Sequence, residues 1–197
     1  MASPRIFFTT DWHLGDPRLD ILSRPFGTVQ EMHERIIAEH NRMVAPHDTV
    51  YVLGDALHRD GGAPVDILGR FNGNLVLLRG NHDVLDDDYA PYVQEVIPEG
   101  EGVELDVEGV PCWLVHYPTL GREDRFNLTG HIHNRWLCAP TRNGLNCGVD
   151  VHRFRPLSAE RVAFYYRAVC EFNDDVWLPG LPARTDRGRP GSYFQRS

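Results

Sequence analysis

LVLLRGNHD, at residues 75–83, is the stretch most indicative of the fold, because four apolar residues are followed directly by five polar or turn-forming ones. A continuous apolar run of this length is typical of a strand that is buried on both faces of its sheet. Gly80 permits a sharp turn, so side chains that bind metals or carry protons follow at once. The stretch predicts a buried strand with functional residues at its carboxyl end.

The same arrangement occurs at four other places in the chain. Short polar groups follow apolar runs at Asp11-Trp12-His13, Gly54-Asp55, Val115-His116 and Gly130-His131-Ile132-His133. One such group alone says little, since Asp and His often fall near each other by chance. Five groups at five strand ends predict one site, built at the edge of a sheet from carboxylates and imidazoles that suit divalent cations.

The intervening segments predict a mixed α/β chain. Strands are expected at residues 5–9, 49–53, 75–78, 102–108, 110–115, 127–129 and 145–149. Thr28 and Glu31 form a capping box before a helix that extends to about Val44. A short helix is expected at 63–71, a hairpin turn at 109–111, and a final helix or turn capped by Ser158.

Length and composition bound the domain organisation. The chain has 197 residues, 42% hydrophobic and 24% charged, which is ordinary for a globular protein. We expect one domain at residues 1–178. From Pro179 to Ser197 the sequence is rich in Pro, Gly and Arg, which predicts a flexible tail. The net charge of −8 argues against broad affinity for nucleic acids or membranes through a basic surface.

The sequence also bears on location and partners. No apolar stretch has the length that a transmembrane helix requires, and the N-terminus has no apolar signal region, so we expect a cytoplasmic protein without a membrane partner. The four cysteines form no Cys-x-x-Cys pair and are expected to be small packing residues in a reducing compartment. The aromatic run 164–166 either packs the sheet or covers a dimer interface.

The order of the five polar groups, over residues 11–133, closely resembles the calcineurin-like metallophosphoesterase superfamily. The resemblance implies a four-layer αββα sandwich with two mixed β-sheets flanked by helices. It also implies a hydrolase of phosphate esters that uses two divalent cations, with Mn²⁺ expected and Fe, Zn, Ni or Co as alternatives. The metal ligands that it implies are Asp11, His13, Asp55, Asn81, His116, His131 and His133.

The resemblance implies separate roles within this set. Asp11, His13 and His133 would bind the first cation, and Asn81, His116 and His131 the second. Asp55 would bridge the two, since one carboxylate can hold two cations at about 3.5–4 Å.

Two further residues are implied to be catalytic. His82 would protonate the leaving group as a general acid, and Asp83 would hold the tautomer of the His82 ring. A hydroxide held by the cations would attack phosphorus in line, without a covalent enzyme intermediate.

Three residues are candidates for contact with the substrate. Arg79 either binds phosphate or braces its loop, and His58 lies three residues after Asp55. Asn146 contacts the substrate, binds a histidine of the site, or has a structural role.

Three functions remain open at this point. The first is a metal-dependent phosphodiesterase or phosphatase for small, nucleotide-like substrates, favoured by the compact chain without a long insertion. The second is a DNA or RNA nuclease, with the Arg-rich tail contacting phosphates. The third is a non-catalytic scaffold, which the complete set of ligands argues against.

Overall fold

The structure is a computed structural model that describes residues 3–59, 61–83 and 86–169, without the side chains of residues 86 and 87. Cys170 and the predicted tail at 179–197 lie outside the described residues. The expected single domain at 1–178 stays a prediction.

The first sheet is mixed and contains five strands. In spatial order they are β10 (Leu157–Ser158), β1 (Ile6–Thr9), β2 (Thr49–Val52), β3 (Asn74–Leu78) and β4 (Glu95–Ile97). β1 to β4 are parallel, and β10 is antiparallel to β1. The carboxyl ends of four strands therefore point to one edge, as LVLLRGNHD predicts.

The second sheet is also mixed, with five strands. Their order is β5 (Val103–Val107), β6 (Val110–Leu114), β7 (Phe126–Thr129), β9 (Gly144–Asn146) and β8 (Cys138–Ala139). β6, β7 and β9 are parallel, while β5 and β8 are antiparallel to their neighbours. β4, β8 and β10 were not predicted, because strands of two or three residues are too short to show a periodicity.

In the described part of the chain, three α-helices accompany the sheets: α1 (Val29–Met43), α2 (Asp86–Tyr89) and α3 (Ala159–Arg167). The capping box of α1 is confirmed, since Thr28 Oγ1 accepts from Glu31 N at 3.1 Å and Glu31 Oε2 accepts from Thr28 N at 3.2 Å. Among the described residues, no helix has the length and apolar character needed to cross a membrane.

Three local predictions need correction. The expected helix at 63–71 is a 3₁₀ helix over Val65–Arg70, in keeping with its short length and its Gly69. The hairpin turn lies at Glu108 and Gly109, whose φ angles of 53° and 81° suit a two-residue turn, and residues 110–111 belong to β6. Ser158 precedes α3 but makes no side-chain cap.

The first sheet is buried on both faces. Phe7 lies in the same buried cluster as Met32 of α1, whereas the next residue, Phe8, lies in the cluster that contains Leu114 and Leu128 of the second sheet. Burying each phenyl ring stabilises the fold by about 1.5–3 kcal/mol. α3 packs against β10, β1 and β5 and extends the core between the sheets. The predicted mixed α/β sandwich with two mixed sheets and flanking helices is confirmed.

Candidate metal centre

The loops that follow β1, β2, β3, β6 and β7 meet at the shared carboxyl edge of the two sheets. They bring together all seven predicted ligands. Three ligands form a first group, Asp11, His13 and His133, in which one ligand atom from each lies within 4.8 Å of the others. Asp11 and His13 are buried, and His133 is partly exposed.

A second group lies beside the first. Ligand atoms of Asp55, His116 and His131 also lie within 4.8 Å of one another. The fourth predicted member, Asn81, places its Oδ1 3.3 Å from His116 Nε2 and 3.0 Å from His131 Nδ1. These four donors can converge on a single cation.

Asp55 joins the two groups. Its Oδ2 lies 3.4 Å from His13 Nε2 and 3.5 Å from His116 Nε2, so one oxygen faces a ligand of each group. Its Oδ1 accepts from the backbone N–H of His82 at 2.8 Å, which fixes the carboxylate plane. This placement suits a bridging ligand.

The backbone at the centre is strained. Five ligand residues have left-handed φ angles: Asp11 (59°), His13 (50°), Asp55 (52°), His131 (71°) and His133 (49°). This conformation costs roughly 1–2 kcal/mol per non-glycine residue, less for Asp. Such residues cluster at functional sites where neighbouring contacts hold them in place. The contacts here include Asp11 N to Gly54 O at 3.0 Å and His13 N to Asp55 O at 2.9 Å.

Glycines allow the loops to approach the ligands closely. A Cβ at Gly54 would lie 2.3 Å from His116 Nδ1, and a Cβ at Gly80 would lie 2.2 Å from Asp55 Oδ1. Both distances are far below van der Waals contact, so any larger residue would displace a ligand side chain.

Two histidines are oriented by hydrogen bonds at Nδ1. His116 donates to Leu53 O at 2.7 Å, and His133 donates to Asp150 Oδ2 at 2.8 Å. Donation from Nδ1 leaves the Nε2 lone pair of each ring available, which is how metal-binding histidines are usually held.

Asp150 is itself held by Arg24. The Arg24 Nε donates to Asp150 Oδ1 at 2.8 Å, and its Nη1 donates to the Trp12 carbonyl at 2.7 Å. Arg24 is only 5% exposed, so this ion pair lies in the interior and ties the β1 loop to the loop after β9. Arg24 was not predicted, because its position after Ser23 carries no signal.

The electrostatics of the centre favour bound cations. Burial lowers the pKa of His13 to about 3, so the ring is neutral, and within the described residues neither ring nitrogen has a hydrogen-bond partner. Burial raises the pKa of Asp11 to about 6. Burial also opposes ionisation of Asp55, yet the hydrogen bond and charge of His116 hold the pKa of that carboxyl well below its usual range.

The pKa of His116 also indicates that the centre favours positive charge. Burial disfavours its protonation, but Asp55 and Asp11 raise the pKa of the ring to about 9. The buried carboxylates of Asp55 and Asp11 thus favour a positively charged His116, and a bound cation would supply the same positive charge. The unpartnered, neutral His13 and these carboxylates fit divalent metal ions.

His82 lies at the open side of the centre. It is partly exposed, like Asn81, and His131 is exposed, whereas His13 and Asp55 are buried. A ligand atom of His82 also lies within 4.8 Å of those of His13 and Asp55. Burial lowers the pKa of His82 below its ordinary value.

His58 packs against His82 with the ring centroids 4.7 Å apart and the planes inclined by 22°. The His58 Nε2 lies 2.6 Å from Arg18 Nη2 and 3.5 Å from Asp16 Oδ2. Asp16 is buried and accepts from Arg18 Nε and Nη2 at 2.9 and 2.7 Å. His58 was a predicted candidate for substrate contact. Asp16 and Arg18 were not predicted, because they belong to no strand-end group.

The carboxylate of Asp83 lies below the centre, among backbone N–H groups of two loops. Its carboxylate accepts from the backbone N–H groups of Asp55, Ala56, Leu57 and Gly80 at 2.8–3.1 Å. The hydroxyl of Tyr89 donates to it at 2.9 Å. Asp83 is therefore bonded to the backbone of the loop that carries Asp55, and its hold on the tautomer of His82 stays a prediction.

The other two candidates for substrate contact are Asn146 and Arg79. Asn146 is fully buried, and its Nδ2 donates to His133 O at 2.6 Å and Trp136 O at 2.8 Å. Its Oδ1 accepts from Gly148 N at 2.8 Å, so the geometry favours the structural alternative over substrate contact. Arg79 is partly buried, and its backbone N–H donates to Ile97 O at 2.9 Å. A contact between the Arg79 side chain and the substrate stays a prediction.

The family model for calcineurin-like phosphoesterases matches residues 4–178. The chain belongs to the calcineurin-like phosphoesterase family. With its groups of possible metal ligands, this family member is a metal-dependent phosphoester hydrolase.

The chain is also similar to individual proteins. The uncharacterised protein MJ1445 of Methanocaldococcus jannaschii is 26% identical over 173 residues, which cover 82% of this chain and 91% of the relative. The structure of AQ665 from Aquifex aeolicus, a protein of unknown function, has a TM-score of 0.66 at 21% identity and covers 83% of this chain and 100% of its own. A novel archaeal phosphodiesterase has a TM-score of 0.41 at 16% identity, covering 73% and 82%.

Proposed function

We propose that this chain hydrolyses phosphodiesters or phosphomonoesters of small, nucleotide-like molecules at a dinuclear metal centre. The observation that carries the proposal is the position of Asp55 Oδ2 between His13 Nε2, at 3.4 Å, and His116 Nε2, at 3.5 Å. Because this one oxygen faces an imidazole of each ligand group, it suits a bridge between two cations. A site for a single cation would need only one of the two groups.

The donor set favours particular metals. The imidazole nitrogens suit Fe, Zn, Ni or Co, and the carboxylate oxygens and the Asn81 amide suit Mn²⁺, which we propose as the first choice. When bound, such cations activate water and neutralise charge on the phosphoryl oxygens. The free thiols of Cys112, Cys138 and Cys147 are compatible with the reducing cytoplasm that we propose as its location.

His82 is proposed to donate the proton to the leaving oxygen. Its backbone N–H is fixed by Asp55 Oδ1, so the ring is positioned relative to the bridging carboxylate. The His58 ring stacks on it and limits its rotation, while partial exposure leaves it within reach of a substrate. A neutral ring at rest can take up a proton from solvent and pass it to the departing alkoxide.

The function is tested with bis-p-nitrophenyl phosphate. We expect hydrolysis with added Mn²⁺ and none in EDTA, because the carboxylates and imidazoles of the centre need cations to act. A panel of cyclic nucleotides, dinucleoside polyphosphates, monoesters and oligonucleotides then separates small substrates from nucleic acids. No turnover with Mn, Fe, Zn, Ni or Co would reject the proposal and leave the scaffold interpretation.

His82→Ala tests the general acid. We expect metal content to stay at the wild-type level while hydrolysis of alkyl esters falls by about 100-fold or more. Hydrolysis of p-nitrophenyl esters should fall much less, since p-nitrophenolate leaves without a proton. Metal analysis and paired rates on the two ester types measure this difference. Equal losses on both, or loss of metal, would instead make His82 a ligand.

A further inference from the structure

A second site lies away from the metal centre, where the C-terminal end of α1 meets β10 and α3. There a cavity of about 630 Å³ is open to solvent. Six of the residues that line it bear on the ligand that it can bind. Five are basic, namely Arg42, His152, Arg153, Arg155 and Arg161, and the sixth is Tyr165. A volume of this size is typical of pockets for small molecules.

The positive charge of this arginine cavity is only partly neutralised. Arg42 and Arg155 share one carboxylate, Glu39 Oε2, at 2.9 and 2.7 Å. Arg153 and Arg161 are exposed, and neither forms an ion pair with another residue in the described part of the chain. Among the described residues, Glu39 thus leaves at least three of the four guanidinium charges unbalanced, since it also pairs with Arg35 at 3.1 Å.

One more acidic residue lies near the rim. Glu160 is exposed and lies two residues after Ser158, which lines the cavity. Glu39 and Glu160 together still leave an excess of two positive charges from the four guanidinium groups. Guanidinium groups bind phosphate oxygens in pairs and at fixed angles, so a cluster of them favours phosphate over other anions.

The loop that carries the cavity is strained. Arg153 and Phe154 have consecutive left-handed φ angles of 57° and 64°. Non-glycine residues in this conformation mark functional segments more often than ordinary loops. Phe154 is held by packing on Phe26, with ring centroids 4.9 Å apart, and the turn leaves Arg153 exposed at the cavity.

Tyr165 adds an aromatic surface to the same cavity. Its ring is partly exposed, and the Arg161 guanidinium lies 5.9 Å from the ring centroid. An aromatic face beside arginines suits a planar base attached to phosphates. We propose that the arginine cavity binds the polyphosphate group of a nucleotide-sized ligand, at a site separate from the metal centre.

Isothermal titration of the full-length protein with sodium tripolyphosphate, in EDTA, measures binding without competition from cations at the metal centre. We expect saturable binding that Arg153→Ala/Arg161→Ala weakens by about 10-fold or more, since charge-assisted contacts to phosphate are lost. The matched control is Arg142→Ala/Arg167→Ala, which removes the same charge from exposed arginines outside the cavity and should bind like wild type.

Titrations with ATP and adenosine identify the source of the phosphates. Tighter binding of ATP than of tripolyphosphate supports a nucleotide, and equal binding supports a free polyphosphate. Both double variants should hydrolyse bis-p-nitrophenyl phosphate with Mn²⁺ at the wild-type rate, which shows that they fold. The proposal is overturned if tripolyphosphate and ATP do not bind, if both variants lose affinity equally, or if adenosine alone binds as well as ATP.

Discussion

Asp55→Asn is expected to lower Mn²⁺-dependent hydrolysis of bis-p-nitrophenyl phosphate by more than about 100-fold, beyond the 10–100-fold typical of residues that only support a ligand. The amide can still accept from His82 N, as Asp55 Oδ1 does at 2.8 Å. It cannot supply the anionic oxygen that faces His13 Nε2 and His116 Nε2. Metal analysis after dialysis should show loss of bound cation together with the loss of rate.

The matched control is Asp106→Asn, the same chemical change at an exposed carboxylate of β5, next to the β5–β6 turn. Asp106 Oδ1 accepts from Gly109 N at 2.8 Å, and the amide oxygen of asparagine can do the same. This variant should keep wild-type metal content and rate. Full metal content and full activity in Asp55→Asn would contradict the bridging role and with it the dinuclear proposal.

Asp83→Ala is expected to lower the free energy of unfolding by about 3–5 kcal/mol, because it leaves several buried N–H groups without an acceptor. Those groups belong to Asp55, Ala56, Leu57 and Gly80. The loop that carries Asp55 loses its support, so metal affinity should fall as well. Urea denaturation monitored by circular dichroism, with metal analysis, measures both effects.

Tyr89→Phe provides the control for Asp83→Ala. It removes one donor to Asp83 Oδ1 and leaves the four backbone bonds in place, so its effect should be about 1 kcal/mol. If Asp83 instead set the tautomer of His82, its alanine variant would unfold like wild type and lose rate only on esters with poor leaving groups. That outcome would reject the loop-supporting role.

The proximity of the predicted ligands could be foreseen because each one lies beside a signal that is local in sequence. Asp11, Asp55, Asn81, His116 and His131 all follow an apolar run by a few residues. Since parallel strands end at the same edge of a sheet, local positions translate directly into proximity. The same reasoning predicted β1, β2 and β3 almost to the residue.

The supporting residues were not predictable in this way. Arg24 reaches Asp150 across 126 positions of sequence, and nothing near either residue indicates the pair. Asp16, Arg18 and His58 come together only when the loops after β1 and β2 lie side by side. A hydrogen bond between distant segments depends on the folded path of both, which a local pattern does not contain.

The residue types of the predicted ligands, their order and the strand ends that carry them follow from local sequence, since these depend on neighbours within a few residues. What each polar group contacts depends on the tertiary structure. It assigned Asp83 to four backbone N–H groups and Asn146 to the loop of His133, and it gathered arginines from α1, α3 and residues 153–155 around one cavity. These assignments required the fold, because the partner of a buried polar group is whichever complementary group packing brings within hydrogen-bonding distance.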